Sequence, residues 1–366
     1  MLAILERHPH ARSVLAPVLA SPERASHAYL FHGPGGAGKR AAARELAAAL
    51  LADGSPHPES ARARALSGVH PDLTWVAPSG AHEILVGDIA EPVVAAASRT
   101  PFEARRRVFV IERADELGPE AANRMLKTLE EPPEFAHLVL IAERLADVLP
   151  TIRSRCQAVR FQAPARAQLA SELEAAGAEP ETALACAALS LGDGERARAL
   201  ALDGGALREA GEQLVRAALA GEVGSRRPWR RLLEAVRARG EAVTAELRAH
   251  GEAELELHPP RERKRLEAEL AERLRRARRR AETAALDLAL QVSALWLLDL
   301  AALAAGARDL VRNSDRRAQL AEDGGRSPQA LGVAVQLIED TRQRLKLNVS
   351  EELACEALAY RLERSL

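Results

Sequence analysis

An α/β domain on a parallel sheet, followed by an all-helical remainder, is the architecture this sequence predicts, and three observations carry that prediction. Short β-rich runs alternate with helical patterns up to about residue 163. Beyond Pro164 the strand signals vanish and every pattern is helical. A glycine-rich loop leaves the first strand and opens a helix. Strands that alternate with helices pair in parallel and cover both sheet faces with helices.

Ala28-Tyr-Leu-Phe-His32 is the first strand, and Arg40 to Leu51 follows as an alanine-rich helix. Asp72 to Ala77 reads as a second strand. Arg107 to Ile111 is nearly all apolar and is expected to be a central, buried third. Pro119 suits the first position of a helix through Met125, Leu126 and Leu129, which stops at Pro132-Pro133. His137 to Ala142 is a fourth strand and Ala158 to Phe161 a short fifth. Residues 164 to 205 hold two or three short helices broken by Gly177, Pro180 and Gly192-Asp-Gly194, the size of a small lid. The rest is helical, with breaks at Pro228, Pro259-Pro260, Gly306, Gly324-Gly325 and Pro328. Three domains result: 1–163, 164–205 and 206–366.

Composition sets limits on function. With 366 residues, 47% of them apolar, the chain buries several cores, and with 3% aromatics those cores are Leu, Ala and Val. A net charge of −1 excludes polyanion binding by bulk electrostatics. Basic charge is almost all arginine, the lysines being Lys39, Lys127, Lys264 and Lys346. Three scattered cysteines, Cys156, Cys186 and Cys355, make no disulfide framework, which fits a reduced, cytosolic setting. The first twenty residues lack a signal-peptide pattern, and no run of eighteen uncharged apolar residues occurs, so a soluble protein without membrane contact is expected.

The glycine cluster carries the chemistry. Gly33-Pro-Gly35-Gly36-Ala-Gly38-Lys39 matches the phosphate-binding loop pattern between a strand and a helix. Glycines let backbone N–H groups curl around a phosphate, and the lysine neutralises its terminal oxygens. Three departures fall on the groups that hydrolysis needs. Arg40 stands where a Ser or Thr would ligate Mg²⁺. The third strand ends in Glu112-Arg113, so one acid survives but the water-activating carboxylate is an arginine. The fourth ends in Ile141-Ala-Glu-Arg144, where a Thr or Asn would orient the water. This loop is expected to hold ATP or ADP weakly and not to turn it over.

Five segments occur together in order: His27-Ala-Tyr-Leu-Phe31, the phosphate loop, Val69-His-Pro-Asp-Leu73, Ala121 to Pro133 with its Leu126-Lys-Thr-Leu-Glu-Glu-Pro-Pro133 run, and Leu149-Pro-Thr-Ile-Arg-Ser-Arg-Cys156. They resemble the delta-prime subunits of bacterial DNA polymerase III, in the clamp-loader AAA+ family. The motifs cover about the first 160 residues; beyond them the pattern near Trp296 and Asn348-Val-Ser350 are faint echoes. The resemblance implies an α/β AAA+ module, a small helical lid and an all-α C-terminal collar. It implies a non-catalytic subunit beside gamma/tau ATPase subunits and the delta subunit, acting through the assembly on the sliding clamp and primer-template DNA in the cytoplasm. It also makes Arg155 an arginine finger, a fixed positive charge that reaches the ATP of a neighbouring subunit, with Arg153 as a nearby decoy. Arg198 takes the position of a second nucleotide sensor, with Arg196 as competitor. The decayed catalytic set is typical of delta-prime. The four-cysteine zinc site usual in such modules is missing here, since residues 51 to 69 hold no cysteine and His57 and His70 cannot form one alone. No zinc and no required cofactor are expected. The rival reading is an active AAA+ ATPase of the gamma/tau kind, which residues 40, 112 and 113 vote against. A run of ten basic residues between Arg261 and Arg280 is read as a solvated helix face in preference to a DNA contact.

Overall fold

The computed structural model describes residues 5–78, 84–256, 260–347 and 349–366, in two compact units that meet in sequence at Pro164 and Ala165. Pro259 and Asn348, singled out above, lie outside the described residues.

The first unit is a five-stranded, wholly parallel sheet in the order β2-β3-β4-β1-β5. The strands are β1 (Ala28–His32), β2 (Leu73–Val76), β3 (Arg107–Ile111), β4 (Ala136–Ala142) and β5 (Gln157–Arg160). The helices are α1 (Pro9–Ala20), α2 (Lys39–Ala52), α3 (Pro58–Ser67), α4 (Val86–Ile89, continued by a π-helical turn Ala90–Ala95), α5 (Pro119–Glu130) and α6 (Pro150–Arg153). Alternate strand residues enter opposite cores. Tyr29, Phe31, Val108, Val110 and Val139 pack against Leu46 and Leu50 of α2; Leu30, Phe109, Ile111, Leu138 and Leu140 pack against Met125 and Leu129 of α5. The third strand is internal, as its apolar run predicts, but the centre of the sheet is β4, all seven of whose residues are buried. α5 begins with Pro119 at its first turn.

Two buried polar groups tie the sheet to its surroundings. Asp72, 1% exposed, accepts the N–H groups of Phe102, Glu103 and Ala104 at 2.6, 2.9 and 2.9 Å and so fixes the loop that enters β3. His137, 3% exposed on β4, has Nδ1 3.0 Å from the Ser26 carbonyl, so Nδ1–H donates there. Burial pushes the His137 pKa down from 6.5 to about 4, and burial also lowers those of His8, His32 and His70. Because the folded values lie below the unfolded one, the unfolded chain takes up protons first as pH falls. Stability is therefore full above pH 6.5 and lost towards pH 4. For His137 alone the loss between pH 7 and pH 5 is about 2 kcal/mol. Denaturant midpoints measured over that range should fall accordingly, and His137→Asn, which keeps a donor for Ser26, should flatten the fall.

The second unit is helical: α7 (Arg166–Ala175), α8 (Pro180–Leu189), α9 (Gly194–Ala201), α10 (Ala206–Leu219), α11 (Val223–Arg226), α12 (Pro228–Glu256), α13 (Pro260–Ala304), α14 (Arg317–Glu322), α15 (Pro328–Leu345) and α16 (Glu351–Ser365). Leu169, Cys186 and Leu200 of α7–α9 join Leu214, Trp296, Ile338 and Leu358 in a single buried cluster. α10 and α13 cross closely at Gly211. A Cβ there would meet the Ala289 carbonyl oxygen at 2.5 Å, and Ser293 Oγ donates to the Gly211 carbonyl at 2.7 Å. α12 and α13 run antiparallel, since Gly240 lies against Glu282 and Gly251 against Leu270. The basic run on α13 is laced with ion pairs: Arg275 to Glu272 at 2.8 Å, Arg278 to Glu282 at 2.8 Å, Arg279 to Glu351 at 2.8 Å. By length and composition, Leu266–Ala304 holds a window of mean hydropathy 1.6 that would suffice to cross a membrane. That window is 72% buried within the protein, as expected of a core helix.

Candidate functional site

The phosphate loop joins β1 to α2, and its glycines are needed where they stand. Gly33 has φ +145°, and a Cβ there would meet the Phe161 carbonyl oxygen at 2.1 Å. Gly36 and Gly38 have φ of 70° and 84°, and Gly38 caps the N-terminus of α2. Gly35 is buried within the turn. Lys39, 6% exposed, donates from Nζ to the carbonyls of Gly33 and Pro34, the latter at 2.6 Å, so it is folded onto its own loop. His8 accepts the Gln162 N–H at Nδ1 (3.0 Å) and its ring packs 5.0 Å from that of Phe161, which brings the segment before α1 to the same place.

Arg40 and Glu112 meet. Sheet order puts β4 between β1 and β3, so the first turn of α2 faces the end of β3 across one strand. Arg40 Nη2 lies 2.8 Å from Glu112 Oε2, and the indole N–H of Trp75 donates to the other oxygen, Oε1, at 2.7 Å. The surviving acid thus has both oxygens engaged by its own chain, where the sequence left Glu112 open to a metal. One of those partners is Arg40, whose guanidinium reaches Glu112 from the position where a catalytic loop carries a Ser or Thr. These residues do not fit a metal. A dication about 4 Å from a guanidinium is repelled by roughly 2 kcal/mol at the dielectric of water and about 8 at a protein-like value. Trp75 carried no sequence signal, because its reach depends on β2 pairing with β3.

Arg113 adopts φ 55° and pairs with Glu116. Asp115 accepts the backbone N–H groups of Glu143 and Arg144 at 3.1 and 3.4 Å, which pins the turn after β4 to that after β3. Arg144 pairs with Asp147 at 2.5 Å.

The finger candidate sits at the turn from α6 into β5. Arg155 Nη1 donates to the Thr151 carbonyl at 3.0 Å and to Ser154 Oγ at 3.1 Å, while Nη2 pairs with Glu130 at the last turn of α5. Its side chain is 33% exposed. Burial pushes the neighbouring Cys156 thiol up to about 12, which makes it an inert packing residue. Arg153 is exposed, and its charge helps lower the His32 pKa at the end of β1, a different neighbourhood from that of Glu130. In the second unit, Arg196 is held by Asp193 at 3.6 Å, Asp287 at 3.5 Å and Gln291, whereas Arg198 on α9 is exposed.

Comparison with known proteins bears on the first unit above all. The family described as DNA polymerase III, delta subunit, matches residues 8–165. The chain is 42% identical over 144 residues to the DNA polymerase III subunit delta' of Bacillus subtilis, 38% of this chain and 43% of that one. It is 36% identical over 196 residues to the subunit delta' of Pseudomonas aeruginosa, 52% of this chain and 60% of that one. A DNA polymerase III subunit gamma/tau of Mycobacterium tuberculosis is 32% identical over 152 residues, 38% of this chain and 25% of that one. The chain therefore spans about half the length of the delta' relatives it matches. The matched residues 8–165 take in the glycine loop and the Ser154-Arg-Cys156 turn, and it is in this first unit that the chain is similar to DNA polymerase III subunits.

Proposed function

We propose that the chain is a non-catalytic subunit of a cytoplasmic clamp loader, which lends Arg155 to an ATP held by a neighbouring gamma/tau-like subunit. The single observation that carries the non-catalytic part is the ion pair of Arg40 with Glu112, together with the Trp75 bond to the same carboxylate. It sets a cation beside the surviving acid and engages each of its oxygens once, which supports a loop that holds no metal. The loop keeps its glycines and Lys39 and holds ATP or ADP weakly, without metal. No zinc and no required cofactor belong to this reading. The partners are the gamma/tau ATPase subunits and the delta subunit, and the sliding clamp and primer-template DNA are reached through the assembly.

The isolated protein should hydrolyse no ATP above background at any magnesium concentration, measured by phosphate release. Magnesium-dependent turnover that Lys39→Ala abolishes would sink the non-catalytic reading. Co-purification with candidate loader subunits tests the partners. The similarity to a gamma/tau subunit keeps an active ATPase of that kind as the second reading, and the same assay separates the two.

A further inference from the structure

We infer that Glu130 is a positioning residue for Arg155: it aims the guanidinium and stays bound while the remaining N–H groups take a neighbour's phosphate. The inference rests on the reading of Arg155 as a finger in trans.

Glu130 is the last residue of α5, and Glu131 follows as its cap. A helix C-terminus carries partial negative charge and favours cations, so two consecutive carboxylates there are misplaced for helix stability. The Arg155 guanidinium offsets this by pairing with Glu130. The two residues come from two separate segments of the sequence, Leu126 to Pro133 and Leu149 to Cys156, which the fold brings together here.

The donor count decides what the pair can do. A guanidinium has five N–H donors in a rigid plane. Thr151 O and Ser154 Oγ take two from Nη1, and Glu130 takes one from Nη2. Two remain, one on Nε and one on Nη2, for phosphate oxygens. Glu130 therefore need not leave when a phosphate arrives. The Glu130 side chain is 48% exposed and the Arg155 side chain 33%, so the pair adds little to stability, and its effect falls on orientation instead.

The test uses the reconstituted loader. Turnover at saturating ATP is compared for wild type, Arg155→Ala, Glu130→Gln, Glu130→Asp and the double variant Glu130→Gln with Arg155→Ala. The difference between wild type and Arg155→Ala defines the Arg155-dependent part. Glu130→Gln should reduce that part about 3- to 10-fold, the range for one partly exposed charge-assisted hydrogen bond, with KM for ATP and melting temperature unchanged. Glu130→Asp should restore most of it, and the double variant should match Arg155→Ala alone. A lowered Arg155→Ala rate beside an unchanged Glu130→Gln rate overturns the positioning role and leaves the finger standing. Additive losses in the double variant overturn it equally, because Glu130 would then act without Arg155. An unchanged Arg155→Ala rate removes the finger, and this inference with it.

Discussion

Arg155→Ala is expected to leave fold and assembly intact and to lower ATP turnover of the reconstituted loader. In the proposed reading the phosphate is a neighbour's, so the loop at Gly33–Lys39 should play no part in the effect. A planar, permanently charged group paired with phosphate oxygens as charge builds in the transition state is worth roughly 4–7 kcal/mol at the site it serves. The total rate should fall only in part if, as the proposed assembly implies, this subunit borders one of several ATP sites. Arg153→Ala is the control for general electrostatics. Arg153 lies two residues away with equal charge, but its field is felt at His32, whereas Arg155 lies with Glu130 at the end of α5. Equal losses from both substitutions would point to surface charge, and an unchanged rate for Arg155→Ala would end the catalytic role.

Arg208→Ala should destabilise the helical unit by about 3–5 kcal/mol, the cost of leaving buried charges uncompensated. Arg208 is 3% exposed on α10 and pairs with both oxygens of Asp315 at 2.7 Å, with Glu212 at 2.8 Å and with Asn313 Oδ1 at 2.9 Å. Burial already raises the Glu212 pKa, which the charge of Arg208 opposes. Without the guanidinium, Glu212 and Asp315 face each other in a poorly solvated site. Asn313 is meanwhile held by Asp299, 0% exposed, which accepts the Arg312 and Asn313 N–H groups at 2.9 and 2.8 Å. Equilibrium denaturation followed by circular dichroism measures the loss. Removing all three charges in Arg208→Met, Glu212→Leu, Asp315→Leu should cost less than removing the arginine alone. A triple variant as unstable as the single one would show that packing, not charge, sets the effect.

Local signals made the first unit legible. Ala28–His32 and Arg107–Ile111 appear where the apolar runs put them, because buried parallel strands are written as continuous apolar stretches. Pro119, Pro228, Pro260 and Pro328 all open helices, since a fixed φ and a missing N–H suit a first turn. Pairwise facts were not legible. The engagement of Glu112 by Arg40 and Trp75 depends on which strand lies beside which, and that order is nowhere local. The bond of Arg155 to Glu130 joins two segments that were each recognisable, but not as neighbours. Arg196 and Arg198, alike as helical arginines in sequence, separate only through Asp193, Asp287 and Gln291, two of which lie some ninety residues further on.

The strand order also sets a timetable for the chain as it is made. β1 pairs with β4 and β5, Ala28 opposite Leu138 and Tyr29 opposite Gln157, and never with the strand that follows it. At ribosomal speeds of about 5–20 residues per second, β1 waits on the order of ten seconds for its partners. Meanwhile Tyr29, Leu30 and Phe31, all fully buried in the finished sheet, have no strand on either edge. The glycine loop is built between β1 and α2 and closed by Gln162 and Phe161, so it is among the last features to take shape although its residues emerge early. A nascent chain stopped short of β5 is thus a natural client for holdase chaperones.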